Sequence, residues 1–207
     1  MDENSTVFIV DDDSSIRQAL ELLMSSAGLT TRSFASGRAV LDADLGPGPC
    51  CVLLDLSLPD KSGLEVQAQL RRKCPYIPVV FLTGYGNVPA AVSALKHGAV
   101  DFFQKPDFDS RLLLTTITQA LEGHGQHLAM DSQHRRIRQG IAALTPRELE
   151  VARQAAAGTA NKVIGIELGI SERTVEVHRG HAMKKMGLRQ AADLIRAESL
   201  LKEFTDH

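Results

Sequence analysis

Along the first 122 residues, short apolar runs alternate with stretches whose apolar residues recur every three or four positions. Val7 to Val10, Thr31 to Phe34, Cys51 to Leu54, Val79 to Leu82 and Asp101 to Gln104 read as strands. Between them, Ser15 to Ser26, Ser36 to Ala43, Gly63 to Arg72, Pro89 to Lys96 and Ser110 to Leu121 read as helices, with Gly28 and Gly98 at helix ends. Strands alternating with helices predict an α/β domain built on a doubly wound, five-stranded parallel sheet. The first, third and fourth strands are apolar throughout, as central strands covered on both faces must be, whereas the more polar second strand suits an edge.

After Glu122 the pattern weakens, and residues 123–143 scatter His124, His127 and His134 among Gly, Gln, Ser and Arg. The expectation is a solvated linker between a domain of residues 1–122 and a second domain of residues 144–207. The second begins at Thr145-Pro146-Arg147-Glu148, which combines an N-cap threonine, a proline at the first helical position and a capping-box glutamate. Short helices follow: Pro146 to Ala157, Asn161 to Leu168, Glu172 to Met186 and Gln190 to Leu201, punctuated by Gly158, Gly169 and Gly187. This domain should be small and entirely α-helical.

Composition changes the picture only in part. At 207 residues with 43% hydrophobic content the chain can bury two cores. No apolar run approaches the roughly 18 residues of a membrane span, and the start lacks the basic stretch of a signal peptide, so a cytoplasmic protein is expected. Cys50, Cys51 and Cys74 are odd in number and lack metal-ligand spacing, which favours buried, reduced thiols. Charge is uneven: residues 1–122 carry 10 Lys+Arg against 15 Asp+Glu, and residues 123–207 carry 13 against 10. The mildly basic second part permits a nucleic-acid partner without demonstrating one.

The candidate chemistry lies at strand ends. Asp11 and Asp12 close the first strand, Asp55 the third, Thr83 the fourth, and Lys105 with Pro106 the fifth. Ligands of an open parallel sheet bind outside the carboxyl ends of its strands, so these side chains should converge. Clustered carboxylates call for a cation, and Mg²⁺ typically takes one or two of them plus oxygens of a phosphate-bearing partner. A hydroxyl and an ammonium beside them suit a phosphoryl group.

Val10-Asp11-Asp12-Asp13, the run from Leu54-Asp55 through Ser57 and Pro59 to Gly63, Leu82-Thr83-Gly84 and Phe102-Phe103-Gln104-Lys105-Pro106 resemble, in order and spacing, the receiver domain of two-component response regulators, a flavodoxin-like fold. The resemblance covers Thr6 to about Leu121. It implies that Asp55 accepts a phosphoryl group from a sensor histidine kinase. It also implies that Asp12, Asp55 and the Ser57 carbonyl hold Mg²⁺ with Asp11 nearby, that Thr83 and Lys105 grip the phosphoryl oxygens, and that Lys105-Pro106 is cis. Thr83 and Phe102 would form the switch, altering the surface around Asn87 to His97 and Val100 to Phe103. One departure is the placing of Asp107 before Phe108, where relatives usually have an aromatic directly after the proline.

In the second domain, two helices flank the tight turn Gly169-Ile170, with Ser171 capping the second, a helix-turn-helix arrangement. Val175, His178, Ala182 and Met186 share one face of that second helix; Arg173, Glu176, Val177, Gly180 and Lys184 share the other. Leu144 to Val151, Asn161-Lys162 and Ile170 to Arg179 resemble the LuxR-type domain of the NarL and FixJ regulators. That resemblance implies phosphate contacts from Lys162, Arg173, Thr174 and Lys184, and base-facing positions at Glu176, Val177 and Gly180. Arg179, beside the core face, would reach only the DNA backbone, and His178 would pack inward.

The combined expectation is a response regulator that dimerises and binds promoter double-stranded DNA once phosphorylated, with RNA polymerase as a further partner. It would not be a substrate-turnover enzyme. Two alternatives stay open. An aspartyl-phosphate phosphohydrolase would want a second aspartate where this chain has Ser57, and a ligand-sensing transcription factor would want a pocket in the first domain.

Overall fold

The structure, a computed structural model, describes residues 5–84 and 88–204. Its first compact unit, Met1–Leu128, alternates β1 (Thr6–Val10), α1 (Ser14–Ser26), β2 (Thr30–Phe34), α2 (Gly37–Asp42), β3 (Cys50–Asp55), α3 (Gly63–Lys73), β4 (Val79–Thr83), α4 (Val88–Lys96) and β5 (Asp101–Gln104). All strand pairs are parallel, in the order β2-β1-β3-β4-β5. The polar β2 is an edge, and β1, β3 and β4 are central, as their sequences require.

Alternation along the strands sorts two cores. Val7, Ile9, Leu53, Val80 and Leu82 face Leu20 and Met24 of α1 and Leu113 and Ile117 of α5 (Ser110–Ala142). Phe8, Val10, Val52, Leu54 and Phe81 face Val40 and Leu41 of α2 and Val66 and Leu70 of α3. Helices on both faces of a parallel sheet leave only the strand ends open to a ligand. Phe108 compensates for its one-residue displacement by packing edge-on to Phe103, with ring centroids 6.4 Å apart.

The expected solvated linker is a correction. Residues 123–143 continue α5, which runs unbroken for 33 residues to Ala142. His124 lies on the same stripe as Ile117 and Leu121 and is buried, its Nδ1 accepting the Cys50 amide at 2.9 Å. The helical spacing of these positions holds the segment in the helix despite Gly123 and Gly125. Further along, Ile137 and Ile141 join the core of the second unit, Ala129–His207.

That unit contains α6 (Pro146–Ala156), α7 (Asn161–Leu168), α8 (Glu172–Lys185), α9 (Ala191–Arg196) and α10 (Glu198–Glu203). The helix expected from Gln190 to Leu201 is therefore two helices turning at buried Ala197. On a straight helix Leu200 would fall at the margin of the face carrying Leu194 and Leu201; with the turn, all three are buried. No helix among the described residues is long and apolar enough to cross a membrane.

The capping box at Thr145 extends into an ion pair between the buried Glu148 carboxylate and the partly exposed Lys185. Glu148 accepts the Thr145 amide at 2.8 Å and the Lys185 ammonium at 2.7 Å. The Lys185 hydrogen bond, followed by the Thr145 amide, holds the Glu148 carboxyl at about 2, below its ordinary 4.5. A depressed carboxylate pKa contributes stability that is present above the unfolded value and lost as pH falls through the folded one. Thermal stability of the helical unit should therefore fall as pH drops from 4.5 to about 2, and Glu148→Gln should flatten that part of the profile while lowering stability at neutral pH.

Candidate functional site

The acidic cluster forms where β1 and β3 lie side by side and their following connections diverge, to β2 on one side and β4 on the other. This is the topological switch point of the sheet. Val10 is in register with Leu54, so Asp11 and Asp55 emerge next to each other. Carboxylate oxygens of Asp11, Asp12 and Asp55 lie within 4.8 Å of one another. Asp11 and Asp55 are buried, whereas Asp12 is exposed. Neither Asp11 nor Asp12 caps α1. That role falls to Asp13, which accepts the amides of Ser15 and Ile16, leaving the preceding pair available for other chemistry.

Lys105, at the end of β5 and followed by a cis bond to Pro106, reaches across β4 to this cluster. Its ammonium donates to Asp11 and, at 3.0 Å, to Asp55. Burial pulls the Lys105 pKa down, but its bonds to Asp11 and Asp55 outweigh that effect and raise it, so the ammonium stays charged. Burial pushes the Asp11 carboxyl up against the pull of Lys105, and the Asp55 charge adds to the rise. One ammonium does not balance three carboxylates. The surplus negative charge beside the exposed Asp12 fits a hard divalent cation.

Thr83, buried at the end of β4, donates to the carbonyl of Gly84 at 3.2 Å. Phe102 on β5 pairs in register with Phe81 and packs half-buried against the second core. Ser57 is exposed, and its amide approaches the Asp55 carboxylate at 3.3 Å. Asn87, the start of the expected switch surface, lies outside the described residues; Val92, Leu95 and Val100 within it expose apolar side chains.

Three positioning features go beyond the residues expected from sequence. Arg17 of α1 donates to the carbonyls of Asp11 and Asp12 at 2.7 and 2.9 Å, fixing the acidic turn from behind. Asp60 accepts the amides of Gly37 and Arg38, tying the loop after Asp55 to the start of α2. Gly63 lets α3 begin against β3: a Cβ there would stand 2.3 Å from the carbonyl of Asp55. The signal for Arg17 was its place one helical turn into α1, a spacing that allows a long side chain to reach back.

In the helical unit, Gly169 takes the left-handed conformation, φ 66°, that ends α7 and turns the chain into Ser171, whose hydroxyl caps α8 at the Thr174 amide. Val175 and Ala182 of α8 are buried against the unit's core. Arg173, Glu176, Val177, Gly180 and Lys184 are exposed, as is Lys162 of α7. Thr174 is partly exposed, its hydroxyl paired with Ser171. Arg179 is half-buried and bonds Asn161 at 3.1 Å, a bond that fixes α8 to α7. His178, expected to pack inward, is only partly buried.

A Cβ at Gly180 would meet no atom within 4 Å, so internal packing does not demand glycine there. Gly180→Ala should stabilise α8 by about 1 kcal/mol through helix propensity. If the face meets base edges, the same substitution weakens DNA binding. Melting curves beside a DNA titration separate the two effects.

Comparison with known proteins gives the arrangement its place. Residues 7–122 match the family described as "Response regulator receiver domain", and residues 142–197 match "Bacterial regulatory proteins, luxR family". The chain is 39% identical to "Nodulation protein W" of Bradyrhizobium diazoefficiens, over 97% of this chain and 88% of that one. It is 40% identical to "Response regulator protein TmoT" of Ectopseudomonas mendocina, over 98% and 91%. Among solved structures, response regulator StyR superposes with a TM-score of 0.79 at 38% identity, covering 96% of this chain and 98% of that one. Full-length FixJ from B. japonicum does so with 0.58 at 34%, covering 97% and 98%. The chain belongs to the response regulators of transcription that join a receiver domain to a LuxR-type helix-turn-helix domain.

Proposed function

We propose that Asp55 is the phosphoacceptor of this response regulator, charged by the phosphohistidine of a sensor histidine kinase, and that its phosphorylation controls dimerisation and promoter binding. The convergence of Asp11, Asp12, Asp55 and Lys105 at the β1/β3 switch point carries this reading. An Asp55 carboxylate oxygen attacks phosphorus as the bond to the histidine nitrogen breaks. Phosphoryl transfer is mostly positioning and charge neutralisation. Asp11, Asp12, Asp55 and the Ser57 carbonyl would hold Mg²⁺, which supplies charge neutralisation for the transferred group. Lys105, already charged and 3.0 Å from Asp55, takes a phosphoryl oxygen. Thr83 exchanges its Gly84 carbonyl for another, and the space it leaves lets Phe102 turn inward, remodelling α4 and β5.

The output follows from the exposed face of α8. Lys162, Arg173, Thr174 and Lys184 contact phosphates, Glu176, Val177 and Gly180 enter the major groove, and Arg179 touches the backbone from beside Asn161. Removing one phosphate contact, as in Arg173→Ala or Lys184→Ala, should reduce the salt slope of DNA binding by roughly one. The protein acts in the cytoplasm, meets RNA polymerase at the promoter and hydrolyses its own aspartyl phosphate slowly without turning over a substrate. Treatment with a small phosphodonor and Mg²⁺, followed by sedimentation and footprinting on DNA around its own gene, tests the reading. No change in either would contradict it.

A further inference from the structure

The end of β3 opposite Asp55 carries a second cluster of reactive side chains, built from Cys50, Cys74 and His124. Cys50 opens β3, Cys74 caps the C-terminus of α3, and His124 arrives from α5. His124 is buried and its Nδ1 accepts the Cys50 amide at 2.9 Å. A neutral imidazole with Nδ1 accepting carries its hydrogen on Nε2. Nε2 lies 3.8 Å from the Cys74 sulfur. The hydrogen is thus aimed at sulfur, and the group aiming it is itself oriented by a backbone donor.

We propose that Cys74 is a modifiable thiol, activated by His124 and open to thiol–disulfide exchange with low-molecular-weight disulfides. Cys50 and Cys51 are buried, and burial pushes the Cys50 thiol up to about 12 and the Cys51 thiol higher still. Cys74 is partly exposed. A hydrogen bond donated to sulfur favours the thiolate, which is the nucleophile. The C-terminal end of α3 opposes a negative charge, and the Arg71 and Lys73 side chains of its last turn are bound to the carbonyls of His97 and Leu41, so the His124 hydrogen bond is the contact that favours the thiolate. His124 does not serve as a base here, because protonating Nδ1 would set two hydrogens against each other at the Cys50 amide. Burial, together with the nearby His127, keeps the imidazole neutral.

In the exchange, the Cys74 thiolate attacks one sulfur of the disulfide. A new sulfur–sulfur bond forms, the old one breaks, and its electron pair leaves on the other sulfur, which takes a proton from water. Cys74 is oxidised and the leaving thiol is reduced. A mixed disulfide at this position crowds His124 and the Cys50 amide, so the modification bears on the packing of α5 against the sheet.

The test uses the full chain with dipyridyl disulfide as probe, reading thiopyridone release, and oxidised glutathione read by intact mass. One thiol per chain should react fast in the native protein, disappear in Cys74→Ser and persist in Cys50→Ser. Its rate against pH should follow a single ionisation below the roughly 8.5 of an ordinary thiol. His124→Gln should slow the reaction at neutral pH by about tenfold, corresponding to one pKa unit of lost thiolate. A Cys74 rate equal to that of a cysteine peptide, or a profile with an apparent pKa at or above the ordinary value, overturns the proposal. So does an unchanged rate in folded His124→Gln; should that variant not fold, the wild-type pH profile decides alone.

Discussion

Asp55→Asn protein is expected to take up no phosphoryl group from a small phosphodonor with Mg²⁺, under conditions where the wild type is labelled to near completion. The effect is all-or-none because the substitution removes the attacking oxygen while leaving volume and fold nearly unchanged. Asp11 and Asp12 do not substitute. Asp11 is buried, bound to Lys105 and to the Asp13 amide, and Asp12 lacks the ammonium that would receive the transferred charge. Intact mass gives the result directly. Labelling of Asp55→Asn at the wild-type rate would move the acceptor elsewhere.

Lys105→Met should produce the largest loss of stability among substitutions at the site. Lys105 is mostly buried against two carboxylates, of which Asp11 is almost fully enclosed. Breaking a buried pair by removing one partner costs about 3–5 kcal/mol, because the remaining charge is left without a counter-ion. The loss should be greatest in chelator and should shrink when Mg²⁺ is added, since on the proposed function the cation would bind the folded carboxylates and not the unfolded chain. Asp11→Asn in the same background should also recover part of it. Denaturant melts of the single and double variants, each with and without Mg²⁺, measure both effects. Equal losses with and without Mg²⁺ would separate the ammonium from the metal site.

Much of this was legible in the sequence because periodicity and strand ends carry strong signals. Four consecutive apolar residues in β1 and β4 announced central strands, and the acids and Lys105 fell at carboxyl ends that a parallel sheet brings together. The α8 face divided as its spacing required, with Val175 and Ala182 buried and Val177 exposed. The misreadings have physical causes. Residues 123–143 looked like a linker because glycines and histidines mask a helix that tertiary contacts hold. His124 takes an apolar position by giving its Nδ1 to the Cys50 amide, a partner 74 positions away that local pattern does not reveal. The turn at Ala197 was invisible because alanine neither breaks helices nor marks their ends. Asp60 acts on the amides of Gly37 and Arg38, whose placement follows only once the fold is known.

The proposed function separates input from output: phosphorylation would add roughly −1.5 to −2 charge at the Asp55 strand end, and DNA would be read from α8 in the other unit. To reverse a two-state balance almost completely, the phosphoryl group must favour the active state by about 5.5 kcal/mol. In that proposal Thr83 and Phe102 would convert part of that charge into a change of surface at α4 and β5.

The most direct measurement is the affinity of the full chain for a duplex from the region around its own gene, before and after phosphorylation in the same buffer. The account predicts tighter binding after phosphorylation, with no change in Asp55→Asn protein given the same phosphodonor. Equal affinity in wild-type protein labelled at Asp55 would contradict it.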